Sequence, residues 1–566
     1  MPEIVDRIVD AEAARRLEAG GIDPRLARIY AARGVADAAE LATKLAGLIA
    51  PDRLNRVDEA ARLLADAIER GERLLIVADY DADGATACAV GMKALAAMGA
   101  KVGYIVPNRQ EHAYGLTPEI VAEAAERSPD WLITVDNGIA AVEGIEEANR
   151  RGIRVLVTDH HLPGASVPDA ACIVNPNQAG CGFPSKHLAG VGVIFYVMLQ
   201  LRAELRRRGA FAGKTEPPLA DLLDLVALGT VADVARLDAN NRTLVAHGIA
   251  RIRAGRGAPG IAALIQVAGR DPRRVCAYDL GFVAGPRLNA AGRIDDMSLG
   301  IECLLTDDRA RALQLAQRLD ALNRERRAIE GEMQESALAM GLDEIAASGF
   351  SLVVHRPDWH AGVVGILASR LRERFHRPVF AFARDNSGLL KGSGRSIPAL
   401  HLRDALDLVA KRSPGVLERF GGHAGAAGAT LRAESLDAFR DAFEAVARER
   451  LTAADLDERI ETDGCLGAQD LTESFAAMLR EQVWGHGFPE PRFRGAFRIR
   501  SQRVVGEKHL KVTLDLDGRP IEAMRFGSPD ALPDAVEAIY RLDVNEYQGM
   551  ASLQLVLERC EAAASV

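Results

Sequence analysis

The chain has 566 residues and a formal net charge of −9; 48% of its residues are apolar and 26% are charged. This length exceeds what one hydrophobic core supports, so three or four domains are expected, and the composition is that of a globular protein. No stretch approaches the roughly 20 consecutive apolar residues of a membrane span. The acidic N-terminal segment also lacks the apolar core of a secretory signal.

Charge and cysteine content narrow the classes further. The negative total argues against a uniformly basic nucleic-acid-binding protein, although a basic groove can coexist with an acidic surface. The seven cysteines are scattered and form no CxxC pair, which argues against a disulfide framework or a structural zinc site. A cytoplasmic protein without a membrane segment is therefore expected.

The first predicted elements are helices followed by an α/β segment. Apolar positions at helical spacing predict helices over residues 36–70. From residue 74, short β-branched runs alternate with alanine-rich helical segments, a pattern typical of a mainly parallel sheet with helices on both faces. The expected strands are LLIVA (74–78), KVGYIVP (101–107), WLITV (131–135), RVLVT (154–158) and ACIVNP (171–176).

Three further segments follow this sheet. A proline-free, highly charged stretch between residues 300 and 340 predicts a long connecting helix. A second α/β segment begins at SLVVH (351–355) and includes PVFAFAR (378–384). Alternating β segments beyond residue 490 favour a small all-β barrel. The expected domains are an N-terminal helical segment (1–70), an α/β domain (71–300), the connecting helix (301–345), a smaller α/β domain (346–450) and the barrel domain (455–566).

Acidic and imidazole side chains follow three of the strands expected in the first sheet. The carboxyl ends of parallel strands meet at one edge of a sheet, where open α/β sheets bind ligands, so these side chains are expected to converge. A solvated loop could explain any one instance, but three at the same position favour a built site. The side chains are Asp79, Asp81 and Asp83 after 74–78, Asp136 after 131–135, and Asp159, His160 and His161 after 154–158.

The donor types of this cluster indicate a metal and a reaction. Oxygen and imidazole donors without thiolate suit Mn²⁺ or Mg²⁺ better than zinc. A dication offsets the mutual repulsion of converging carboxylates, and five aspartates exceed what one ion needs beside its waters. Two ions about 3.5–4 Å apart, bridged by a carboxylate, are the usual device for in-line phosphoryl chemistry. The cluster therefore predicts phosphoester hydrolysis.

A calcium-binding loop is one alternative for the first cluster. The stretch DYDADG (79–84) matches the first positions of an EF-hand loop. However, the twelfth position is Val90 instead of the bidentate Glu, and the preceding segment predicts a strand instead of a helix. These two departures disfavour the EF-hand interpretation.

Several motifs resemble the DHH phosphoesterases. DYDADG, VDNG, TDHH and GTVAD (229–233) look like the four motifs of that family. The resemblance implies a parallel-sheet DHH domain joined by a long helix to a smaller α/β DHHA1 domain, followed by an OB-like β-barrel domain. It spans roughly residues 40–560. Further segments resemble the family's single-strand-specific 5′→3′ DNA exonucleases: PNRQEHAYGL (107–116), GPRLNAAGR (285–293), HAGVVGILASRL (360–371), KGSGRS (391–396), GGHAGAAG (421–428), WGHGFPEPRF (484–493) and NEYQG (545–549).

The same resemblance assigns metal-binding and catalytic roles. Asp136 is the expected bridge between two Mn²⁺ or Mg²⁺ ions, and it is catalytic together with His161. His161 is expected to contact the scissile phosphate, or else to pack beside a ligand. Asp159 is expected to fix a histidine tautomer. Only the resemblance places Asp233 at this site, and Asp79 is either a ligand or a neighbour of the ligands. The implied metal ligands are Asp79, Asp81, Asp83, Asp136, His160 and Asp233.

An exonuclease must also recognise a strand end. Arginine forks, hydroxyls and backbone N–H groups bind a terminal phosphate best, and the glycines of KGSGRS permit close approach to phosphate. An ordinary turn, or glycines required by packing, is the alternative. This chain also has EHAYG (111–115) where the family usually has EGYG. The residues that match family positions near the 5′ end are Arg109, Arg287, Ser393 and Arg395, with His423 as a further phosphate donor.

The leading hypothesis is a metal-dependent exonuclease that removes nucleotides from the 5′ end of single-stranded DNA in DNA repair and recombination. One alternative is a phosphodiesterase acting on short oligonucleotides or cyclic dinucleotides. A catalytically inactive DNA-binding scaffold is another, and the intact set of acids and histidines argues against it. The resemblance also implies a monomer that contacts single-strand-binding protein and a helicase.

Overall fold

A computed structural model of the chain describes residues 3–108, 115–164, 166–385, 387–547 and 550–563. The N-terminal segment contains β1 (Glu3–Asp6), α1 (Ala11–Ala19), α2 (Pro24–Ala31) and α3 (Val57–Glu69). Only α3 bears out the helices predicted over 36–70. Residues 38–53 contain three short 3₁₀ turns instead, and none of these turns buries a side chain. Gly47 and Pro51 disfavour a continuous α-helix here.

The first sheet is parallel throughout, as predicted. Its strand order is β3-β2-β4-β5-β6. Ala78 at the end of β2 pairs with Val135 at the end of β4, which pairs with Thr158 at the end of β5. The residues that follow these three strands therefore start from neighbouring points at one edge. The elements are β2 (Arg73–Ala78), α4 (Ala82–Ala97), β3 (Lys101–Ile105), α5 (Pro118–Ala125), β4 (Trp131–Val135), α6 (Val142–Arg150), β5 (Arg154–Thr158) and β6 (Cys172–Val174).

Helices cover both faces of this sheet, as its apolar strands require. Apolar side chains of α5 and α6 pack on one face, while α4 and α7 cover the other within the main core. A π-helical turn (Leu280–Ala284) leads directly into α12. The helices that follow the sheet are α7 (Gly190–Arg207), α8 (Leu223–Ala232), α9 (Ala239–Arg253), α10 (Pro259–Gln266), α11 (Ala277–Asp279), α12 (Gly285–Ile294) and α13 (Ser298–Leu305).

The long connecting helix is confirmed as α14 (Arg309–Leu338), which begins after Asp308 caps its first turn. Although the helix is highly charged, apolar side chains at helical spacing form a buried stripe along it, including Leu315, Leu319 and Leu322. With this stripe it packs on α10, α12 and α13, and it also contacts a helix of the second α/β domain. The helix therefore links the two domains through packed side chains.

The second α/β domain has a mixed sheet in the order β10-β11-β9-β8-β7, with β7 and β8 parallel and the other pairs antiparallel. The first five residues of KGSGRS lie within strand β9 and do not form a turn. A Cβ at Gly392 would lie 2.2 Å from the ring of Phe382, and one at Gly394 would lie 2.4 Å from the ring of Phe380. The elements are α15 (Leu342–Ser348), β7 (Leu352–His355), α16 (Val364–Phe375), β8 (Val379–Arg384), β9 (Leu390–Arg395), α17 (Leu402–Arg412), β10 (Arg419–Gly422), β11 (Ala426–Leu431) and α18 (Leu436–Arg450).

The C-terminal strands close into the predicted barrel, in the order β13-β14-β15-β17-β16. Strand β12 pairs in parallel with β1, so the N-terminal strand reaches the barrel domain. A buried ion pair of 2.6 Å between Arg33 and Asp463 strengthens that contact. Among the described helices, none combines the length and apolar character needed to cross a bilayer. The elements are β12 (Arg459–Thr462), α19 (Glu473–Arg480), β13 (Phe493–Val505), β14 (His509–Leu516), β15 (Arg519–Arg525), β16 (Ala535–Tyr547) and β17 (Met550–Ala562).

Candidate metal centre and strand-end site

The first aspartate cluster lies where β2 passes into α4. Asp81 caps α4, and its carboxylate accepts hydrogen bonds from the N–H groups of Asp83 (2.9 Å) and Gly84 (3.0 Å). Asp83 is buried, and its two oxygens accept from the N–H groups of Gly190 (2.6 Å) and Val191 (2.9 Å) at the start of α7. The capping of α4 therefore sets the direction of the Asp81 carboxylate, and the start of α7 sets that of Asp83.

Asp136 and His160 join the cluster from β4 and β5. Asp136 is buried, and its φ of 63° places it in the left-handed region that few residues other than glycine and asparagine adopt. Its Oδ1 lies 3.0 Å from His160 Nε2. The start of α7 closes on this carboxylate from the other side, since a Cβ at Gly190 would lie 2.5 Å from the Cβ of Asp136. Close packing therefore holds the backbone of Asp136 in this strained conformation.

Asp233 reaches the same place from the C-terminal cap of α8. Its Oδ2 lies 4.0 Å from His160 Nδ1. Asp233, which the pattern of strands did not place, therefore lies beside the other candidate metal ligands. The donor atoms form three groups, within each of which all atoms lie within 4.8 Å of one another. These groups are Asp79, Asp81 and Asp136; Asp83, His160 and Asp233; and Asp136, His160 and His161.

The electrostatics of these residues are those of a cation site. Burial, and next the charge of Asp81, raise the pKa of Asp83 to about 7. Burial and the charge of Asp83 raise the pKa values of Asp136 and Asp233 well above the usual range. Burial, followed by the neighbouring His161, lowers the pKa of His160 to about 4, which keeps this imidazole neutral, as metal ligation requires. This oxygen-rich donor set with imidazole fits Mn²⁺ or Mg²⁺.

His161 is held differently from His160. Its Nδ1 lies 2.8 Å from Oδ1 of the buried Asp159, whose carboxylate also accepts from the N–H groups of both histidines and of Ile139. Burial opposes protonation of His161, but the hydrogen bond to Asp159 and the charge of that carboxylate outweigh burial and raise the pKa of His161 to about 9. Asp159 thus orients a histidine, and that histidine is His161.

The second α/β domain faces the metal centre through His423, which lies in the turn between β10 and β11. The ring of His423 is stacked on the ring of His161, with centroids 6.3 Å apart. Arg395 pairs with Ala426 at the same end of this sheet, and its guanidinium donates to Ser393 Oγ at 3.0 Å. The second sheet therefore brings Ser393, Arg395 and His423 to one end.

One of the predicted strand-end residues, Arg287, is engaged by protein groups, and another, Arg109, is not among the described residues. The guanidinium of Arg287 pairs with Asp320 of α14 at 2.8 Å and donates to the carbonyl of Val283. In this structure it ties α12 to the connecting helix. Arg109, together with most of the EHAYG stretch, lies outside the described residues.

Two residues of the GPRLNAAGR motif support the first aspartate cluster, a role that the sequence analysis did not predict. Asn289 of α12 accepts a hydrogen bond from the N–H of Ala82 at 2.8 Å, between the two aspartates that flank that residue. A Cβ at Gly292 would lie 1.7 Å from the carbonyl oxygen of Tyr80, so α12 presses directly on the DYDADG loop. The GPRLNAAGR motif resembles a family segment, but residue types alone do not reveal that it supports this loop.

Comparison with known proteins agrees with this architecture. Family models match residues 73–230 (DHH family, N-terminal domain), 348–449 (DHHA1 domain) and 462–559 (RecJ OB domain). The chain is 51% identical over 548 residues to the single-stranded-DNA-specific exonuclease RecJ of Dickeya dadantii, a match that covers 94% of this chain and 95% of that protein. It is 48% identical over 552 residues to the RecJ of Escherichia coli K12, with 95% and 96% covered.

Solved structures agree as well. The crystal structure of RecJ in complex with Mn²⁺ from Thermus thermophilus superimposes with a TM-score of 0.82 at 30% identity, over all of this chain and 80% of that one. About half of the residues are identical to those of these two RecJ proteins, over nearly the full length of each protein compared. The DHH, DHHA1 and RecJ OB domains also follow one another in this order along the chain. The chain therefore belongs to the RecJ family of single-stranded-DNA-specific exonucleases.

Proposed function

We propose that this chain hydrolyses single-stranded DNA from its 5′ end and releases mononucleotides. One observation carries the proposal: carboxylates and imidazoles from β2, β4, β5 and α8 converge within ligand distance of one another, directly opposite His423 of the second sheet. A phosphodiester held between the two domains would meet metal ligands on one side and phosphate-binding groups on the other.

Two divalent ions account best for the donor set. Asp136 and His160 each belong to two of the three donor groups, and of these two only a carboxylate has two oxygens with which to bridge two ions, which supports that role for Asp136. When bound, a pair of Mn²⁺ or Mg²⁺ ions lowers the pKa of a water and stabilises charge on the phosphorus oxygens. Asp79, Asp81, Asp83, His160 and Asp233 supply the remaining ligands.

His161 then acts on the phosphate and does not serve mainly as a ligand. Asp159 accepts the hydrogen bond from Nδ1, so Nε2 is the nitrogen that would donate to a phosphate oxygen. An imidazole fixed by a buried carboxylate keeps one orientation through the reaction. His161 therefore orients the scissile phosphate and stabilises its charge.

Recognition of the 5′ end is assigned to Ser393, Arg395 and His423. A hydroxyl, a guanidinium and an imidazole at one end of the second sheet match the acceptors of a terminal phosphate. A narrow passage between the two domains would exclude a duplex and admit one strand. The barrel of β13–β17 would extend the track, which disfavours a substrate as short as a dinucleotide.

Cellular role and partners are inferred from family membership alone. We expect a cytoplasmic monomer that acts in DNA repair and recombination together with single-strand-binding protein and a helicase.

Timed digestion of single-stranded DNA labelled at either end, with Mn²⁺ supplied, tests the proposal. Wild-type protein should release label from the 5′ end first, and Asp136→Asn should not digest the DNA but should still bind it. Asparagine tolerates the left-handed backbone at this position, so loss of activity will reflect the charge. Asp169→Asn removes a carboxylate from an exposed loop and is the matched control. Release from the 3′ end, or rapid digestion by Asp136→Asn, would overturn the proposal.

A further inference from the structure

Two asparagines bind the loop that carries both histidines of the metal centre. They lie in the connection between β6 and α7, residues 175–189, directly after β6 ends. The fully buried side chain of Asn175 donates from Nδ2 to the backbone carbonyl of His161 at 2.9 Å. Nδ2 of Asn177 donates to the backbone carbonyl of His160 at 2.6 Å. These bonds from the asparagine pair, Asn175 and Asn177, therefore reach the backbone of the histidine loop and not its imidazole rings.

The backbone of the two histidines is bound from both sides in this way. The carboxylate of Asp159 accepts hydrogen bonds from the N–H groups of His160 at 2.7 Å and His161 at 3.0 Å, while the asparagine pair donates to the two carbonyls. The N–H of Asp159 pairs with the carbonyl of Val174, the residue before the pair. The peptide group between the two histidines is thus held at both its N–H and its carbonyl. It cannot turn without breaking a hydrogen bond, so the backbone from which the imidazoles project is fixed.

An ordinary turn explains only part of this hydrogen bonding. Oδ1 of Asn175 accepts from the N–H of Asn177 at 2.7 Å, which is the usual turn that an asparagine makes with the backbone two residues on. Aspartate makes the same turn, because the turn needs only the oxygen. The two Nδ2 groups instead cross to a different loop, and donors of this kind are what hold the groups of a functional site in place.

The connection that carries the pair is itself well anchored. Nζ of Lys186 donates to the carbonyl of Pro176, between the two asparagines, at 2.7 Å. At its far end the connection passes into α7, where the N–H of Gly190 donates to Asp83 at 2.6 Å. Asp83 and His160 belong to the same group of donor atoms. One connection therefore binds the histidine loop at its start and a carboxylate of the same donor group at its end.

We propose that Asn175 and Asn177 are positioning residues for phosphodiester hydrolysis. Asn177 holds His160 where it can bind a metal ion, and Asn175 holds His161 where it can donate to the scissile phosphate. The inference rests on the proposed function and adds two residues to it that touch neither metal nor substrate. Because the two histidines differ in role, the two asparagines should control different properties of the enzyme. Asn177 should control metal affinity, and Asn175 should control turnover.

Two substitutions remove one donor each. Asn177→Ala deletes an amide that is only partly buried, so the variant should keep the fold. Asn175→Asp keeps the oxygen that makes the local turn but loses the donor to His161. Asn149 provides the matched control, because its Nδ2 donates to the carbonyl of Asp169 at 2.8 Å, outside the histidine loop. Asn149→Ala and Asn149→Asp therefore repeat both substitutions where no histidine is bound.

Calorimetric titration of the full-length, metal-free protein with Mn²⁺ measures affinity, and digestion of single-stranded DNA at saturating Mn²⁺ separates kcat from KM. Asn177→Ala should bind at least one Mn²⁺ ion about 10- to 100-fold more weakly. Asn175→Asp should lower kcat about 10- to 100-fold, with KM and Mn²⁺ affinity nearly unchanged. Both Asn149 variants should match the wild-type protein in all three quantities.

Thermal unfolding of each variant separates positioning from loss of stability. If both variants of the pair are merely less stable, they will keep the wild-type Mn²⁺ affinity and kcat below their melting temperatures, and the proposal is wrong. Equal losses of Mn²⁺ affinity and kcat in the two variants would also contradict it, because they would indicate a general disturbance of the loop. If Asn175→Asp does not fold, the Mn²⁺ affinity of Asn177→Ala alone decides whether the proposal stands.

The metal titration needs no substrate, so it stays decisive if the proposed function fails. Wild-type protein that binds Mn²⁺ but does not digest single-stranded DNA would refute the proposed function, whereas weaker Mn²⁺ binding by Asn177→Ala would still support the positioning of His160. Normal digestion by the wild-type protein and by both variants of the pair would refute the positioning roles instead.

Discussion

The ring of His161 lies against the ring of His423, with planes inclined by only 18° and centroids 6.3 Å apart. His161 follows β5 of the first sheet, and His423 connects two strands of the second sheet. The two histidines are far apart in the sequence, so their contact depends on how α14 orients the two domains. Only in this orientation can the candidate metal centre and the proposed strand-end site act on the same strand.

Replacing Asp159 by Asn should slow catalysis while sparing metal binding. The neutral amide of the variant would no longer accept a charge-assisted hydrogen bond from His161 Nδ1, so the ring would lose its fixed orientation and the carboxylate that favours its protonated form. Loss of such an orienting partner typically costs about 10- to 100-fold in activity. Steady-state digestion of single-stranded DNA should show a lower kcat, and calorimetric titration should show nearly unchanged Mn²⁺ affinity. A large loss of Mn²⁺ affinity with normal kcat would contradict the role given to His161.

Gly190→Ala should disrupt the metal centre although Gly190 carries no side chain. An added Cβ would lie 2.5 Å from the Cβ of Asp136, so the carboxylate must move. A displacement of about 1 Å at a catalytic group can cost roughly 100-fold in rate. Gly182→Ala is the control, because no heavy atom lies within 4 Å of its added Cβ. Equal activity of the two variants would show that Asp136 tolerates displacement.

Arg395→Gln should reduce the preference for a 5′-phosphate. The loss of a charged hydrogen-bond donor to phosphate costs about 1.5–3 kcal/mol, which corresponds to roughly 10- to 100-fold in KM for phosphorylated strands. Strands that begin with a 5′-hydroxyl should be affected much less. Arg384→Gln is the control, since Arg384 is exposed at the opposite end of the same sheet. An equal effect on both kinds of strand would place the terminal phosphate elsewhere.

Mn²⁺ should raise the melting temperature of the wild-type protein, and chelation should reverse the change. Ligands that bind only the folded state stabilise it by about 2.7 kcal/mol at roughly 100 times Kd, and here the ions also relieve repulsion among Asp83, Asp136 and Asp233. Differential scanning calorimetry measures the shift. Asp136→Asn should lose most of it. A melting temperature that is independent of Mn²⁺ would mean that these carboxylates do not hold ions.

The parts of the site that lie at strand ends could be predicted from the sequence because parallel strands align their carboxyl ends. Asp81, Asp136 and His160 follow three such strands, and a run of apolar residues marks each strand. Asp233 ends a helix, and no local pattern indicates where a helix end will lie, so only the family resemblance identified it. Asn289 acts through the hydrogen bond that its side-chain oxygen accepts, and Gly190 acts because it has no Cβ to displace Asp136. Both effects depend on tertiary packing, which the local sequence does not reveal.

The fold was harder to predict where glycines lie within a strand. Gly392 and Gly394 lower the β propensity of β9, yet the rings of Phe382 and Phe380 on the next strand leave no room for a Cβ at either position. Arg287 illustrates a similar limit for side chains. Its match to a family motif predicts contact with substrate, and this stays a prediction; that its guanidinium also pairs with Asp320 of α14 could not be read from the local sequence.

The most direct measurement is the anomalous scattering of Mn²⁺ in crystals soaked with the ion. Two peaks about 3.5–4 Å apart are predicted, both adjacent to Asp136, with His160 and Asp233 beside them. Peaks that lie away from these side chains, or none at all, would contradict the claim that these residues hold the ions that cleave DNA.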